Sequence, residues 1–346
     1  MAWLIGLVAL LALVALIAGF VRAPPAPPPQ PGRAVSGALV AYSPGYRVSF
    51  FGLERLHPFD IAKYDRIAKH LRREGLLAWD DFAIPAPPTD AQLAAVHDPD
   101  YLASLRDPAD LSRALEVAVP SVFSAATIER RVLAAFRRAV GGTALAAQGA
   151  LDHGLGINLG GGFHHARPGM GHGFCIYNDV AYAIHTLRAG GFRGRVLIVD
   201  TDAHQGDGNH AFFADDPDVF SFSMHQGSIF PHPKLRGDRD LELDAGTRDA
   251  AFLEALEAAL GELLREPADL VFHVAGSDVL GDDPLAGLAL TPDGLLQRDL
   301  MVTRAVRDRG TPLVHVLAGG YGPSSAQAQG RSVAAILRQE QARASE

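Results

Sequence analysis

From residue 38 onward, short apolar runs rich in β-branched residues alternate with stretches whose apolar positions recur at helical spacing. The runs "GINL" (156–159), "RVLIVD" (195–200), "VFSFSM" (219–224), "LVFHVA" (270–275) and "LVHVLA" (313–318) are the predicted strands. Most are apolar nearly throughout rather than alternating, as expected of a parallel sheet buried on both faces. Between them lie amphipathic helices. "DIAKYDRIAKHLRREG" sets Ile61, Tyr64, Ile67, Ala68 and Leu71 on one face, with Asp60 as N-cap and Gly75 as a stop. Thr291 and Pro292 open a second helix that closes at Gly310, and 249–266 carries a stripe of Phe252, Leu256, Leu260 and Leu263. The pattern predicts an α/β domain of three layers, helices covering both faces of a central, mainly parallel sheet.

The N-terminus breaks this pattern. "MAWLIGLVALLALVALIAGFV" holds 21 residues without a charge, enough at ~1.5 Å per residue to cross ~30 Å of hydrocarbon. A cleaved signal would carry a basic residue ahead of the apolar run, and none precedes Arg22. The expectation is a transmembrane anchor over 1–22, with Arg22 and Arg33 favouring a cytoplasmic domain behind it. "APPAPPPQPG" then places six prolines between Pro24 and Pro31, a polyproline spacer over 23–36. The catalytic domain is expected over 37–346.

Composition narrows the classes. The chain of 346 residues is 48% hydrophobic, with a formal charge of −8, which argues against a phosphate-tracking nucleic-acid binder. A single cysteine, Cys175, excludes an internal disulfide and any cysteine-rich zinc site.

Chemistry concentrates where the strands end. "GINL" runs into "GGGFHHARPG", "RVLIVD" into "TDAHQGDG", "LVFHVA" into "GSDVLGDDP" and "LVHVLA" into "GGYG". In open parallel sheets ligands bind beyond the carboxyl ends of the strands, so four strands deliver polar residues to one edge. Asp202 and His204, two apart, can point the same way, and Asp278 adds a third ligand from another strand. One imidazole and two carboxylates, with a position left for water, suit catalytic Zn²⁺; loop-capping aspartates beside a satisfied histidine are the bland alternative. His164 and His165 are general acid–base candidates beside such a metal. Asp200 and Asp207 are available to hold their other ring nitrogens. Tyr321 can donate to an oxyanion opposite the metal.

"GGGFHHA", "GFCIYNDV", "VDTDAHQGDG", "GSDVLGDDPL" and "GGY" stand in the order and spacing of the zinc-dependent histone deacetylases, so the chain resembles that family, of the arginase/deacetylase fold, from about residue 40 to 335. "YSPGYRVSFFGLERLHPFD" (42–60) is similar to its class IV branch. The resemblance implies Zn²⁺ held by Asp202, His204 and Asp278. It makes His165 the general base and then acid, keeps His164 largely protonated near the oxyanion, and makes Tyr321 its donor. Asp200 and Asp207 would stand behind His164 and His165. It further implies a structural K⁺ held around Asp200, Asp202, His204, Ser223 and Met224, and an acyl-lysine channel walled by Gly173, Phe174 and Phe230. Partners implied are an acyl-lysine protein or an acylated amine.

Departures also show. Where class I and II enzymes carry a substrate-gripping aspartate, "SRALEVAVPSVFS" (112–124) offers only Glu116 among apolar residues. That apolar rim suits a long fatty acyl group. Competing readings are a deacetylase of small amines such as polyamines, a manganese ureohydrolase and a non-catalytic membrane scaffold. The ureohydrolase needs a second acid two residues after His204, whereas Asp207 lies three on. The scaffold reading expects a lost ligand or tyrosine, and neither is lost.

Overall fold

The computed structural model describes residues 27–50, 54 and 57–345. Seven strands form one sheet: β1 (Ala38–Ala41), β2 (Leu155–Asn158), β3 (Val196–Asp200), β4 (Val219–Gln226), β5 (Arg239–Leu243), β6 (Leu270–Val274) and β7 (Leu313–Val316). Their order is β1-β2-β7-β6-β3-β4-β5, and every pairing is parallel. The five predicted strands are present. The two outermost, β1 and β5, escaped the pattern: one is a four-residue run and the other, "RDLEL", is polar and only half buried. β5 can be polar because it lies half buried at the sheet edge, whereas β1 is buried and apolar but too short a run to stand out.

The longer helices are α1 (Lys63–Arg73), α2 (Pro108–Leu115), α3 (Ala134–His153), α4 (Asp179–Ala189), α5 (Asp207–Phe213), α6 (Asp249–Leu263), α7 (Pro292–Arg307) and α8 (Ser325–Arg343). Strand alternation sorts the core into two layers. Leu197, Val199, Val271 and Leu313 pack with α1, α6, α7 and α8, whereas Val196, Ile198, Phe272, Val274 and Val314 pack with α3 and α4. This is the predicted three-layer arrangement. Thr291 caps α7 by accepting from the Gly294 N–H at 3.0 Å, as its sequence position foretold. A third apolar cluster, including Leu93, Leu105, Leu111 and Val132, closes the domain over the N-terminal side of α3.

The transmembrane expectation is corrected. No helix among the described residues is long and apolar enough to cross a membrane. The two longest, α3 and α8, carry arginines within their length, which a hydrocarbon core penalises. The anchor expected over 1–22 lies outside the described residues, and a single-pass membrane location with a cytoplasmic domain is not retained. Part of the proline segment is already tied to the domain: Gln30 and Ile84 exchange backbone bonds of 3.0 and 2.9 Å.

Candidate active site

The four strands at the centre of the sheet, β2, β7, β6 and β3, are neighbours, and their C-terminal loops meet over the sheet edge. The loop after β3 carries Asp202 and His204, and the loop after β6 carries Asp278. One ligand atom from each lies within 4.8 Å of the others, and all three residues are buried. His204 Nδ1 stands 2.9 Å from Asp278 Oδ2 and 3.3 Å from Asp202 Oδ1. Backbone donors fix the carboxylates: Asp202 accepts from the N–H of Gly319 at 2.9 Å and of His204 at 3.0 Å, and Asp278 from that of Ala203 at 2.9 Å. A Cβ at Gly276 would collide with the carboxylates of Asp202 and Asp278, so only glycine lets both approach. Burial and the Asp202 carboxylate push Asp278 up to about 7. Two carboxylates crowded in a dry pocket demand a positive charge, and with one imidazole they form a donor set that fits Zn²⁺.

His164 and His165 follow β2 on a loop pinned by Asp179. That carboxylate accepts from the Thr143 hydroxyl at 2.5 Å and from the N–H groups of Gly162 and Phe163 at 2.9 and 2.7 Å. The two histidines have opposite surroundings. His164 donates from Nδ1 to Asp200 at 2.8 Å, and its Nε2 lies 3.7 Å from Asp202. Burial works against its charge, yet the Asp200 and Asp202 carboxylates lift it to about 9. His165 meets Asp207 at 2.6 Å through Nδ1, but burial and the neighbouring His164 cation push it down to about 3. The bond to Asp207, whose other oxygen accepts from Arg167 at 2.6 and 2.9 Å, works the other way but is outweighed. Adjacent imidazoles are thereby set apart, one protonated and one neutral.

Tyr321 follows β7, with its ring 6.5 Å from that of His204 and 5.6 Å from Phe174. Burial and the Asp278 and Asp202 carboxylates raise its hydroxyl well above the usual range, keeping it a donor. Its backbone N–H donates to Asp283 at 2.7 Å. Beneath this loop, buried Lys63 donates to the carbonyls of Ala318 at 3.0 Å and Gly319 at 2.9 Å. Ala318 has φ +47°, a left-handed conformation unfavourable to alanine, which the lysine helps to hold.

The expected channel residues converge as well. A Cβ on Gly173, at φ +55°, would strike the His165 ring and Phe230. Phe230 packs 5.0 Å from the ring of His165, and Phe174 4.4 Å from that of His57. Gly173, Phe174, His57 and His165 line a cavity of about 400 Å³. Its lining runs from Val117–Pro120 past His165 and Tyr321 to Phe136 and Ala139 of α3. Glu116 is exposed at the rim, and its Oε1 accepts from the Gly173 N–H at 2.9 Å. For the expected cation residues, register pairs Asp200, the last residue of β3, with Ser223 inside β4, and Met224 follows it in that strand.

Sequence reading missed Lys63, Arg167, His172, Asp179 and Asp283. Asp179 and Asp283 lie inside the quoted motifs, so their place beside the reacting residues was the available signal. Lys63 sits 255 positions from its partner Ala318, and nothing local marks it.

Comparison with known proteins agrees with this geometry. Residues 57–337 match the family model for the histone deacetylase domain. "Histone deacetylase 2" of Arabidopsis thaliana is 38% identical over 309 residues, covering 88% of this chain and 80% of that protein. The acetoin utilization protein AcuC of Bacillus subtilis is 34% identical over 278 residues, covering 72% and 68%. Among solved structures, acetylpolyamine aminohydrolase from Burkholderia pseudomallei superposes with a TM-score of 0.65 at 25% identity, over 87% of this chain and 98% of that one. The parallel sheet and flanking helices fit the arginase/deacetylase fold, and the matched domain and relatives make the protein a hydrolytic deacetylase. The chain belongs to the histone deacetylase family.

Proposed function

We propose that this protein is a zinc-dependent lysine deacylase whose pocket takes acyl groups longer than acetyl. One observation carries the reading: the apolar cavity of about 400 Å³ that continues beyond His164, His165 and Tyr321 to Phe136 and Ala139. Cavities of this size hold drug-sized ligands, far more than two carbons. Each buried methylene adds about 0.8 kcal/mol, so a chain filling the cavity gains substantially over acetyl.

Asp202, His204 and Asp278 are the residues that hold Zn²⁺, which when bound polarises the amide carbonyl and acidifies its water. His165 is neutral and takes the proton of the attacking water through Nε2, while Asp207 holds Nδ1–H and fixes the tautomer. The same nitrogen then returns a proton to the departing lysine amine. His164 stays protonated and, with the Tyr321 hydroxyl, stabilises the negative charge growing on the carbonyl oxygen. Gly173, Phe174 and Phe230 wall the channel that carries the lysine stem and exclude water. Asp200, Asp202, His204, Ser223 and Met224 are the proposed seat of a structural K⁺; loss of thermal stability when K⁺ is replaced by a bulky organic cation tests this.

The small-amine reading lacks a counterpart in the pocket. A polyamine needs carboxylates along its path, and Glu54 is the one acidic residue lining the cavity among the described residues. The deciding experiment is hydrolysis of one lysine peptide carrying acetyl, butyryl, octanoyl or myristoyl groups. A kcat/KM rising with chain length supports the proposal. A maximum at acetyl returns the protein to short-chain deacetylation, and turnover of acetylpolyamine alone rejects the lysine substrate.

A further inference from the structure

Asp202 and Asp278 come from different loops, and their spacing defines the metal site. Beyond the ends of β3 and β6 the ladder no longer satisfies every backbone carbonyl. Two of these, Thr201 O and Gly276 O, lie immediately before Asp202 and two residues before Asp278. Both accept from one side chain: Arg298 Nη1, at 3.1 Å and 2.5 Å. Arg298 arises from α7, far from the reacting groups in sequence, and is fully buried.

The guanidinium is held from behind by Asp299: Nε donates to its Oδ1 at 2.8 Å, Nη2 stands 2.7 Å from the same oxygen as an ion pair without hydrogen-bond geometry, and the second oxygen of Asp299 accepts from the Ser332 hydroxyl of α8. The guanidinium is thus anchored on one side and reaches both loops on the other. Isolating such a charge in a core is expensive, and an apolar residue of similar volume is often neutral or better for stability. The two carbonyls alone do not require an arginine. What the fork supplies is a fixed distance between two loops whose carboxylates repel each other.

We propose that Arg298 is a positioning residue for the metal centre: it ties the β3 and β6 loops together so that Asp202 and Asp278 stand at ligating distance before a cation arrives. The inference rests on reading Asp202, His204 and Asp278 as the zinc site. Lysine at 298 keeps the charge but has no second arm, so it cannot grip both the carbonyls and Asp299 as the planar fork does.

The test is zinc affinity, read by competition with a chromophoric chelator on the full chain stripped of metal. Melting of the metal-free protein is followed in parallel. Wild type failing to bind one zinc would sink the metal-site reading itself, independently of Arg298. With wild type binding, Arg298→Lys and Arg298→Gln are expected to weaken zinc by ~10–100-fold, the range for residues that orient ligands. The metal-free melting temperature of the lysine variant should move little, and its kcat at saturating zinc should recover much of the loss. Thr303→Ala, on the same helix without a bond to either loop, should leave zinc affinity unchanged. Zinc affinity within threefold of wild type in both Arg298 variants overturns the proposal. So does equal weakening in Thr303→Ala, or failure of both Arg298 variants to fold, either of which makes Arg298 an ordinary part of the core.

Discussion

Asp283 Oδ2 accepts the backbone N–H of Tyr321 at 2.7 Å and that of Gly322 at 3.1 Å, so one acid on the β6 loop sets the position of a tyrosine on the β7 loop. Replacing the tyrosine and replacing its support should therefore differ in degree. Tyr321→Phe is expected to lower kcat by ~100-fold or more, the loss typical of one oxyanion donor. Asp283→Asn keeps the hydroxyl but loosens its loop and should cost about tenfold. Steady-state kinetics with unchanged melting curves check both, and near wild-type turnover in Tyr321→Phe would remove Tyr321 from the chemistry.

Asp207 has a different task. It holds His165 Nδ1 at 2.6 Å through one oxygen while Arg167 donates to the other at 2.6 Å. Asp207→Asn loosens the tautomer and leaves the zinc ligands alone. A fall in kcat of ~100-fold, in the range of one general acid–base group, is expected with zinc affinity nearly unchanged. A comparable fall in zinc affinity would show that Asp207 serves the metal instead.

The metal-free protein should depend on pH in a way the loaded protein does not. Asp278, raised to about 7, binds a proton in the folded state that the unfolded chain releases above its ordinary carboxylate range. Folding stability from this group therefore falls as pH rises through that interval. His204, which burial disfavours as a cation but its two carboxylates raise to about 10, is stabilising below its ordinary value and loses that contribution as pH climbs. Both act in one direction, and zinc replaces the protons. The rise in melting temperature on adding zinc should be larger at about pH 8 than at about pH 5.5. Equal rises at both would contradict the assignment.

The deep end of the cavity offers a steric test. Ala135 of α3 lines it and is almost fully buried. Ala135→Leu should reduce kcat/KM for a myristoyl substrate by about tenfold or more and for acetyl by less than about threefold, since only the longer chain competes for that space. Parallel losses on both substrates would place the acyl chain elsewhere.

How far the sequence speaks depends on how local each feature is. Asp202, His204, His164, His165, Asp278 and Tyr321 were legible because each ends an apolar run, and parallel topology brings those ends together. Arg298 and Lys63 were not: each acts through backbone carbonyls distant in sequence, and a carbonyl leaves no trace in residue identity. β5 was lost because an edge strand can be polar. His273 and His315, polar positions within buried strands, are register partners with their rings 5.0 Å apart.

Glu116, the one acid of the rim stretch, is committed to the Gly173 N–H, and its neighbours Val117–Pro120 are apolar. On the proposed lysine-deacylase reading, this rim stretch offers a single acid with which to read the amino acids flanking a modified lysine. Discrimination then resides in the depth and shape of the pocket, which measure the modification rather than its carrier. Such an enzyme would treat unrelated proteins alike whenever they bear the same acyl group. Its choice among them would be governed by abundance and encounter, not by a consensus motif.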